Sequence, residues 1–324
     1  MKLENQIDKI KLLISKAQTV AVVGHHNPDG DCIGCCAAVA EWLESKGKTV
    51  SIFADGEISE KFSYIRKVPE FNLDGDCEHF DLLIVLDLND VERLGAWRDL
   101  PHKADKIIVI DHHMKPLFKQ CDVLVDMPNY ASTGEIIYQL FESLKVKITL
   151  EIATALYTSI ACDTGCFLFA NTTAYTHHVV EELMKKQKID IETINFRNFR
   201  AYERRNLPVI SYVLKNMKFA FDGKLAITVL PYKAVKKWNL NYESRHGLFK
   251  YATDVSGVIS TIFITELKQG EYNVSLRSLG KIDVAKIAQT IGGGGHKNAS
   301  GATYQGSHKQ LLKVLLAEFA KVIE

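Results

Sequence analysis

The stretch GHHNPDGDCIG, residues 24–34, sets His25, His26, Asp29 and Asp31 within seven positions, directly after the apolar run Thr19 to Val23. Like charges crowded at the end of a buried strand repel one another, and burying them without a partner is costly. A positive partner is therefore expected there. Similar clusters recur along the chain: Asp87 ends the run FDLLIVL, Asp111, His112 and His113 end KIIVI, and Asp163 sits in ACDTG after the helical ATALYTSIA. Four of these carboxylates with two or three of the imidazoles supply the oxygen and nitrogen ligands of two divalent cations, a set suited to Mn²⁺. Any one of these residues alone is better read as a turn cap or a surface hydrogen bond, so it is the whole set that carries the metal reading.

To bring such residues together, the chain must place several strand ends side by side. From Thr19 onward short apolar runs alternate with helical stretches: TVAVVGH, CCAAVAEWLESKG, KTVSIFAD, FDLLIVLDLND, KIIVIDHH. This is the βαβ pattern of an α/β domain with a mainly parallel sheet and helices on its faces. Ligands of open α/β sheets bind beyond the carboxyl ends of the strands, so the clusters at His25, Asp87 and Asp111 should meet in space. A charged helical stretch follows, about residues 181–205, which Pro208 is expected to end or interrupt. Beyond it KLAITVLP, GVISTIFITEL and GEYNVSLRS read as half-buried strands, followed by a helix at Val284 to Gln289, a glycine run and the closing helix LLKVLLAEFAKVI. The expected division is residues 1–185, a helical connector over 186–214, and a smaller α+β domain over 215–324.

A chain of 324 residues suits two domains with separate cores. Its 47% hydrophobic share, 20 glycines and 7 prolines describe a globular protein without low-complexity segments. No apolar run approaches the ~20 residues of a membrane helix, and the amphipathic start MKLENQIDKIKLLISKAQ does not read as a signal peptide. The seven cysteines, an odd number, all occur by Cys166, which suits a reduced, cytoplasmic protein. The C-x-x-C of Cys32 and Cys35 lacks a second pair and opens a helix of small residues, so packing is expected of it. With 40 basic against 39 acidic residues there is no electrostatic footprint for a long duplex, and any nucleic-acid substrate should be short.

HHNPDGD, the first Asp of DLND, DHH at Asp111 to His113, and ACDTG resemble the four successive motifs of the DHH phosphoesterase family, and VSLRS with GGGGHKNASG resembles its DHHA1 domain. Order and spacing hold over nearly the whole chain. The compact build is most similar to the nanoRNase and pAp phosphatase branch, whose members hydrolyse very short oligonucleotides and 3′-phosphoadenosine 5′-phosphate. The resemblance implies that residues 1–185 are the catalytic domain and 215–324 a substrate-binding domain, with the active site in the cleft between them. It implies that His25, Asp29 and Asp87 hold one metal while Asp31, Asp87, His112 and Asp163 hold the other, Asp87 bridging, so that an activated water attacks phosphorus in line. His113 takes the position of a substrate contact that donates to a phosphoryl oxygen or assists the leaving group, and Asp111 is expected to orient one of the histidines.

In the second domain, the glycines before His296 expose backbone N–H groups and tolerate positive φ, so Gly293, Gly294 and Gly295 can wrap a phosphate. Arg277 offers a bidentate fork. The resemblance implies that these residues, with Ser278 and His296, grip the terminal nucleotide. Other conspicuous residues have plainer readings. Ser132 and Glu135 have capping-box spacing, although a helix N-terminus facing the cleft would also welcome a phosphate. His177 and His178 belong to an amphipathic helix, and Phe196, Phe199 and Tyr202 are expected to pack. Asn89 and Asp90 receive no role from the resemblance.

The expected function is that of a cytoplasmic, Mn²⁺-dependent phosphohydrolase. It would degrade RNA of a few nucleotides to mononucleotides, with 3′-phosphoadenosine 5′-phosphate as a further substrate. The alternatives are a phosphodiesterase for cyclic or linear dinucleotides, an exopolyphosphatase or pyrophosphatase, and a non-catalytic nucleotide sensor. The expected partners are short single-stranded RNA or nucleotides, not long duplexes or membranes. A homodimer is a further expectation.

Overall fold

A computed structural model of the chain describes residues 3–73, 77–88, 90–113, 118, 120–240, 247–280 and 282–323, with His296 described in its backbone only. Asn89 lies outside the described residues.

Helix α1 (Ile7–Lys16) leads into strand β1 (Thr19–Val23), and α2 (Gly30–Ser45) crosses to β2 (Thr49–Phe53). Strands β3 (Phe71–Asn72), β4 (Phe80–Leu86), β5 (Ala104–Asp111) and β6 (Val123–Asp126) complete a sheet of order β3-β2-β1-β4-β5-β6. Every pairing in it is parallel. β1 and β4 are near-continuous apolar runs, as strands covered on both faces must be. The chain runs outward from β1 to β3, then returns to β4 beside β1. The carboxyl ends of these two neighbours thus form the switch point where α/β sheets bind ligands, and from them depart the His25 loop and Asp87.

Helices α2, α3 (Thr133–Ser143), α4 (Leu150–Asp163) and α5 (Ala174–Lys186) build the main core on one face. The other face is closed by a smaller core in which the Phe53 ring meets Phe80 at 5.8 Å and Trp97 at 4.6 Å. The expected alternation of strand and helix holds only in part. β4 is joined to β5 by the 3₁₀ turns Val91–Trp97 and Leu100–Lys103, where Gly95 at φ 60, ψ −120 and Pro101 break any continuous α-helix.

Two glycines let α2, α3 and α4 converge. A Cβ at Gly34 would stand 2.4 Å from the Ala155 carbonyl oxygen, and one at Gly134 would stand 1.9 Å from Ser159 Oγ. Cys32, Cys35 and Cys36 are fully buried in this core, and all seven thiols are free.

The chain divides into the units Met1–Ala201 and Tyr202–Glu324. Helix α6 (Ile191–Asn195) and the π-helical turn Phe196–Arg200 belong to the first unit. Phe199 packs on its core, whereas Phe196 is about half exposed and does not fill the packing role expected of it; Tyr202, also about half exposed, lies 6.1 Å from the Tyr251 ring. Helix α7 (Leu207–Asn216) belongs to the second unit. Pro208 sits in its first turn, so it starts a helix and does not end one; a first-turn residue needs no N–H donor.

The second unit continues with β7 (Lys218–Ala220), β8 (Leu225–Leu230), α8 (Tyr232–Lys237), α9 (Lys250–Thr253), β9 (Ser260–Lys268) and β10 (Glu271–Ser278). It closes with α10 (Val284–Gln289), β11 (Gly294–His296), β12 (Ala299–Gln305) and α11 (His308–Ala320). The sheet order is β11-β12-β10-β9-β8-β7, with only β8 and β9 parallel. β10 alternates half-buried and buried residues, and its buried Val274 and Leu276 pack with Leu311, Leu315 and Phe319 of α11. No helix among the described residues is long and apolar enough to cross a membrane.

Candidate metal centre and substrate contacts

Three groups of side chains meet beyond the ends of β1, β4 and β5. They are His25 with Asp29 and Asp87, Asp31 with His112 and Asp163, and Asp87 with His112 and His113; within each, the ligand atoms lie within 4.8 Å of one another. Asp87 faces two ways, with Oδ2 3.5 Å from His25 Nε2 and Oδ1 3.6 Å from His112 Nε2. Its backbone is left-handed at φ 60, as is that of Asn27 at φ 54. Asp and Asn accept this region better than other side chains do, and the sharp turn aims the carboxylate off the strand end.

The histidines are held by main-chain carbonyls. His25 Nδ1 lies 2.9 Å from the His26 carbonyl oxygen and His112 Nδ1 3.2 Å from that of Tyr130. A carbonyl only accepts, so each Nδ1 carries a proton and Nε2 is the atom presented to the acids.

Asp31 is fully buried where the N-terminus of α3 points at it. Its Oδ2 accepts from the Thr133 N–H at 2.8 Å, and its Oδ1 accepts from the Gly134 N–H at 3.2 Å, the Cys35 thiol at 3.3 Å and the Ser159 hydroxyl. The Thr133 hydroxyl donates to Asp87 Oδ1 at 3.0 Å. This helix N-terminus therefore serves a carboxylate of the protein itself, not a phosphate. Its capping matches the expected spacing with one shift: Ser132 Oγ accepts from the Glu135 N–H, but Glu135 reaches back to the Ala131 N–H. Asp29 caps α2 by accepting from the Asp31 and Cys32 N–H groups.

These contacts leave negative charge in excess. Burial and the charge of Asp163 push Asp31 up to about 6, and burial and the charge of Asp31 do the same to Asp87. Burial also raises Asp163. Asp29 goes the other way: burial opposes ionisation, but His25 and the helix amides hold it well below the usual carboxylate range. Burial works against a charge on His112, yet Asp163 and Asp31 bring it up to about 10, and His25 is raised by its acidic neighbours in the same way. Buried acids this crowded, facing the Nε2 atoms of two histidines, fit a site for cations. Oxygen and imidazole donors of this kind fit divalent first-row cations.

His113 is set apart. Its Nδ1 lies 2.7 Å from Asp111 Oδ1 and 3.7 Å from Asp87 Oδ1. The histidine that Asp111 orients is thus His113. Asp111 is buried, and its Oδ2 has no hydrogen-bond partner among the described residues.

Sequence reasoning missed Thr133 and Ser159 as supports of the acids. Ser159 stands four residues before Asp163, on the same face of α4, a spacing that could have revealed it. Thr133 directly follows the expected cap Ser132, and no local pattern marks it further. Thr133→Val should weaken divalent-cation binding about 10- to 100-fold, while Thr133→Ser should keep it near the wild-type value. Calorimetric titration checks this, and a Val variant that binds as tightly as the wild type would refute it.

In the second unit the expected contacts are not all on one surface. Arg277 and Ser278 are neighbours on β10, so their side chains take opposite faces: Arg277 is half-buried, while Ser278 is buried, its hydroxyl without a hydrogen-bond partner among the described residues. The glycine run is more occupied than the sequence suggested. The N–H groups of Gly292 and Gly293 donate to the Gln289 and Ala288 carbonyls and cap α10, and Gly294 to His296 pair with β12. A Cβ at Gly293 would stand 2.3 Å from the Gly301 carbonyl oxygen, and Gly295, at φ 135, lies as close to β12. These glycines meet a packing demand whatever they bind. The side chain of His296 lies outside the described residues.

Comparison with known proteins agrees with this geometry. Residues 19–160 match the model of the DHH family, N-terminal domain, and residues 241–324 match the DHHA1 domain. The chain is 32% identical to the bifunctional oligoribonuclease and PAP phosphatase NrnA of Thermus thermophilus, over 89% of this chain and 84% of that protein. It is 26% identical to the cyclic-di-AMP phosphodiesterase GdpP of Geobacillus thermodenitrificans, covering 89% of this chain but 45% of that one. Among solved structures, an exopolyphosphatase-related protein of Bacteroides fragilis superposes with a TM-score of 0.92 at 25% identity, over 98% of this chain and 96% of that one.

Proposed function

Because this chain belongs to the DHH family and carries a DHHA1 domain, we propose that it is a phosphohydrolase that degrades short oligoribonucleotides to mononucleotides and also dephosphorylates 3′-phosphoadenosine 5′-phosphate. The observation that carries the reading is Asp87, whose two oxygens face two separate histidine and aspartate groups. In this reading, His25, Asp29 and Asp87 would hold one Mn²⁺, and Asp31, Asp87, His112 and Asp163 would hold a second. When bound, such a pair lowers the pKa of a water and offsets charge on the phosphoryl oxygens.

The protein's own groups do the rest. Carbonyls of His26 and Tyr130 keep the two Nε2 atoms on target, and Thr133 ties Asp31 to Asp87. With its ring held through Nδ1 by Asp111, His113 would act on a phosphoryl or leaving oxygen through Nε2. Arg277 and the glycine run with His296 are read as the contacts to the terminal nucleotide. Likeness to an oligoribonuclease and PAP phosphatase over most of both chains supports this choice above a cyclic-dinucleotide phosphodiesterase, of whose relative the chain spans less than half. The full set of acids and histidines speaks against a sensor, which has no need of it.

The test is one hydrolysis panel with Mn²⁺. It contains labelled RNA of two, three, five and twenty-four nucleotides, 3′-phosphoadenosine 5′-phosphate, a cyclic dinucleotide and polyphosphate. Preferential turnover of the two- to five-nucleotide RNAs is expected. Turnover of the cyclic dinucleotide or polyphosphate alone would overturn the substrate class, and no turnover at all would favour the sensor.

A further inference from the structure

Arg277 leaves β10 on its half-buried face, opposite Leu276 and Ser278. Its guanidinium carbon stands 4.4 Å from the centroid of the Phe249 ring, and Nη1 donates to the Leu276 carbonyl at 3.0 Å. A cation within ~6 Å of an aromatic centroid is attracted by the ring's quadrupole, and a flat guanidinium is able to stack on a ring face.

Phe249 is itself well anchored. It caps α9, its carbonyl accepting from the Ala252 and Thr253 N–H groups at 3.0 and 3.3 Å. The preceding Leu248 is buried with Val209 and Val213 of α7 and Phe263 of β9. The ring thus comes from a fixed point of the unit, while Arg277 is a long side chain with many rotamers. Holding such a side chain in place before the ligand arrives lowers the ordering cost of binding.

We propose that Phe249 is a positioning residue, whose ring holds the Arg277 guanidinium in the plane in which it receives the anionic end of a short oligonucleotide. This inference rests on the reading of Arg277 as a substrate contact. Phe249 acts on affinity and has no part in the chemical step. A leucine in its place keeps the apolar bulk and loses the ring face, whereas a tyrosine keeps both.

The experiment measures KM and kcat for a diribonucleotide with Mn²⁺, comparing the wild type with Phe249→Leu, Phe249→Tyr, Arg277→Ala and the double variant Phe249→Leu/Arg277→Ala. Phe249→Leu should raise KM about 3- to 30-fold with kcat within about twofold, and Phe249→Tyr should restore the wild-type KM. Arg277→Ala should raise KM at least as much, with the double variant no worse than Arg277→Ala alone, because the ring acts only through the arginine. A Phe249→Leu enzyme with wild-type KM, or effects that multiply in the double variant, would overturn the proposal while leaving Arg277 in its role. An Arg277→Ala enzyme with unchanged KM would instead overturn the reading of Arg277, and the role of Phe249 with it. Should Phe249→Leu fail to fold, Phe249→Met carries the same comparison.

Discussion

Asp87→Asn should lower turnover of a diribonucleotide by about 10⁴-fold or more and abolish Mn²⁺ binding, while the chain stays folded. The asparagine keeps the size and the acceptor oxygen to which the Thr133 hydroxyl donates. It also suits the left-handed φ of 60 that this position requires, since Asn visits that region more readily than most residues. What it removes is the charge and the second equivalent oxygen with which Asp87 faces both histidines. The aspartate is buried and raised to about 6 by that burial and by Asp31, so its ionised form is unfavourable in the protein stripped of metal. The chelator-treated variant should therefore melt no lower than chelator-treated wild type at pH 8, whereas added Mn²⁺ should stabilise only the wild type. Turnover above one per cent of wild type, or retained stabilisation by Mn²⁺, would remove Asp87 from the centre of the mechanism.

His113→Gln should lower kcat by about 10²- to 10⁴-fold while leaving Mn²⁺ affinity within a few-fold of wild type. This separates it from the six residues read as ligands. His113 Nδ1 is engaged by Asp111, so its contribution is made through Nε2, and that depends on the ring being held in place. Asp111→Asn should produce a loss of similar order, because an amide can turn its N–H toward Nδ1 and disrupt the orientation. The two changes combined should cost little more than the larger one, since the residues work as a pair. The check is steady-state kinetics beside calorimetric metal titration on all three variants. A kcat within tenfold of wild type for His113→Gln would reduce the dyad to a structural pair.

Much of the molecule was legible in the chain alone, and for local reasons. Strands ending at His25, Asp87 and Asp111 are short apolar runs whose end is marked by polarity, and α10 covers the residues that its pattern predicted. Acids and imidazoles placed at such ends have little choice but to meet once the sheet is parallel, because all its carboxyl ends lie on one side. Residue type and spacing therefore determined the α/β architecture, the cation-ready donor set and the family resemblance.

The supports of that set were decided by topology. Thr133 and Ser159 reach Asp31 across 102 and 128 residues of sequence, through an approach of helices that Gly34 and Gly134 permit, and no local pattern encodes such a meeting. The same holds for the choice of partner: only the fold gave His112 to the Tyr130 carbonyl and His113 to Asp111, although the two rings are neighbours in the chain. It likewise turned Arg277 toward Phe249 and Ser278 into the opposite face, and spent two glycine amides on capping α10. Local spacing sets what each residue is able to do, but which neighbour holds it depends on contacts between distant segments, and those exist only once the sheets and helices have packed.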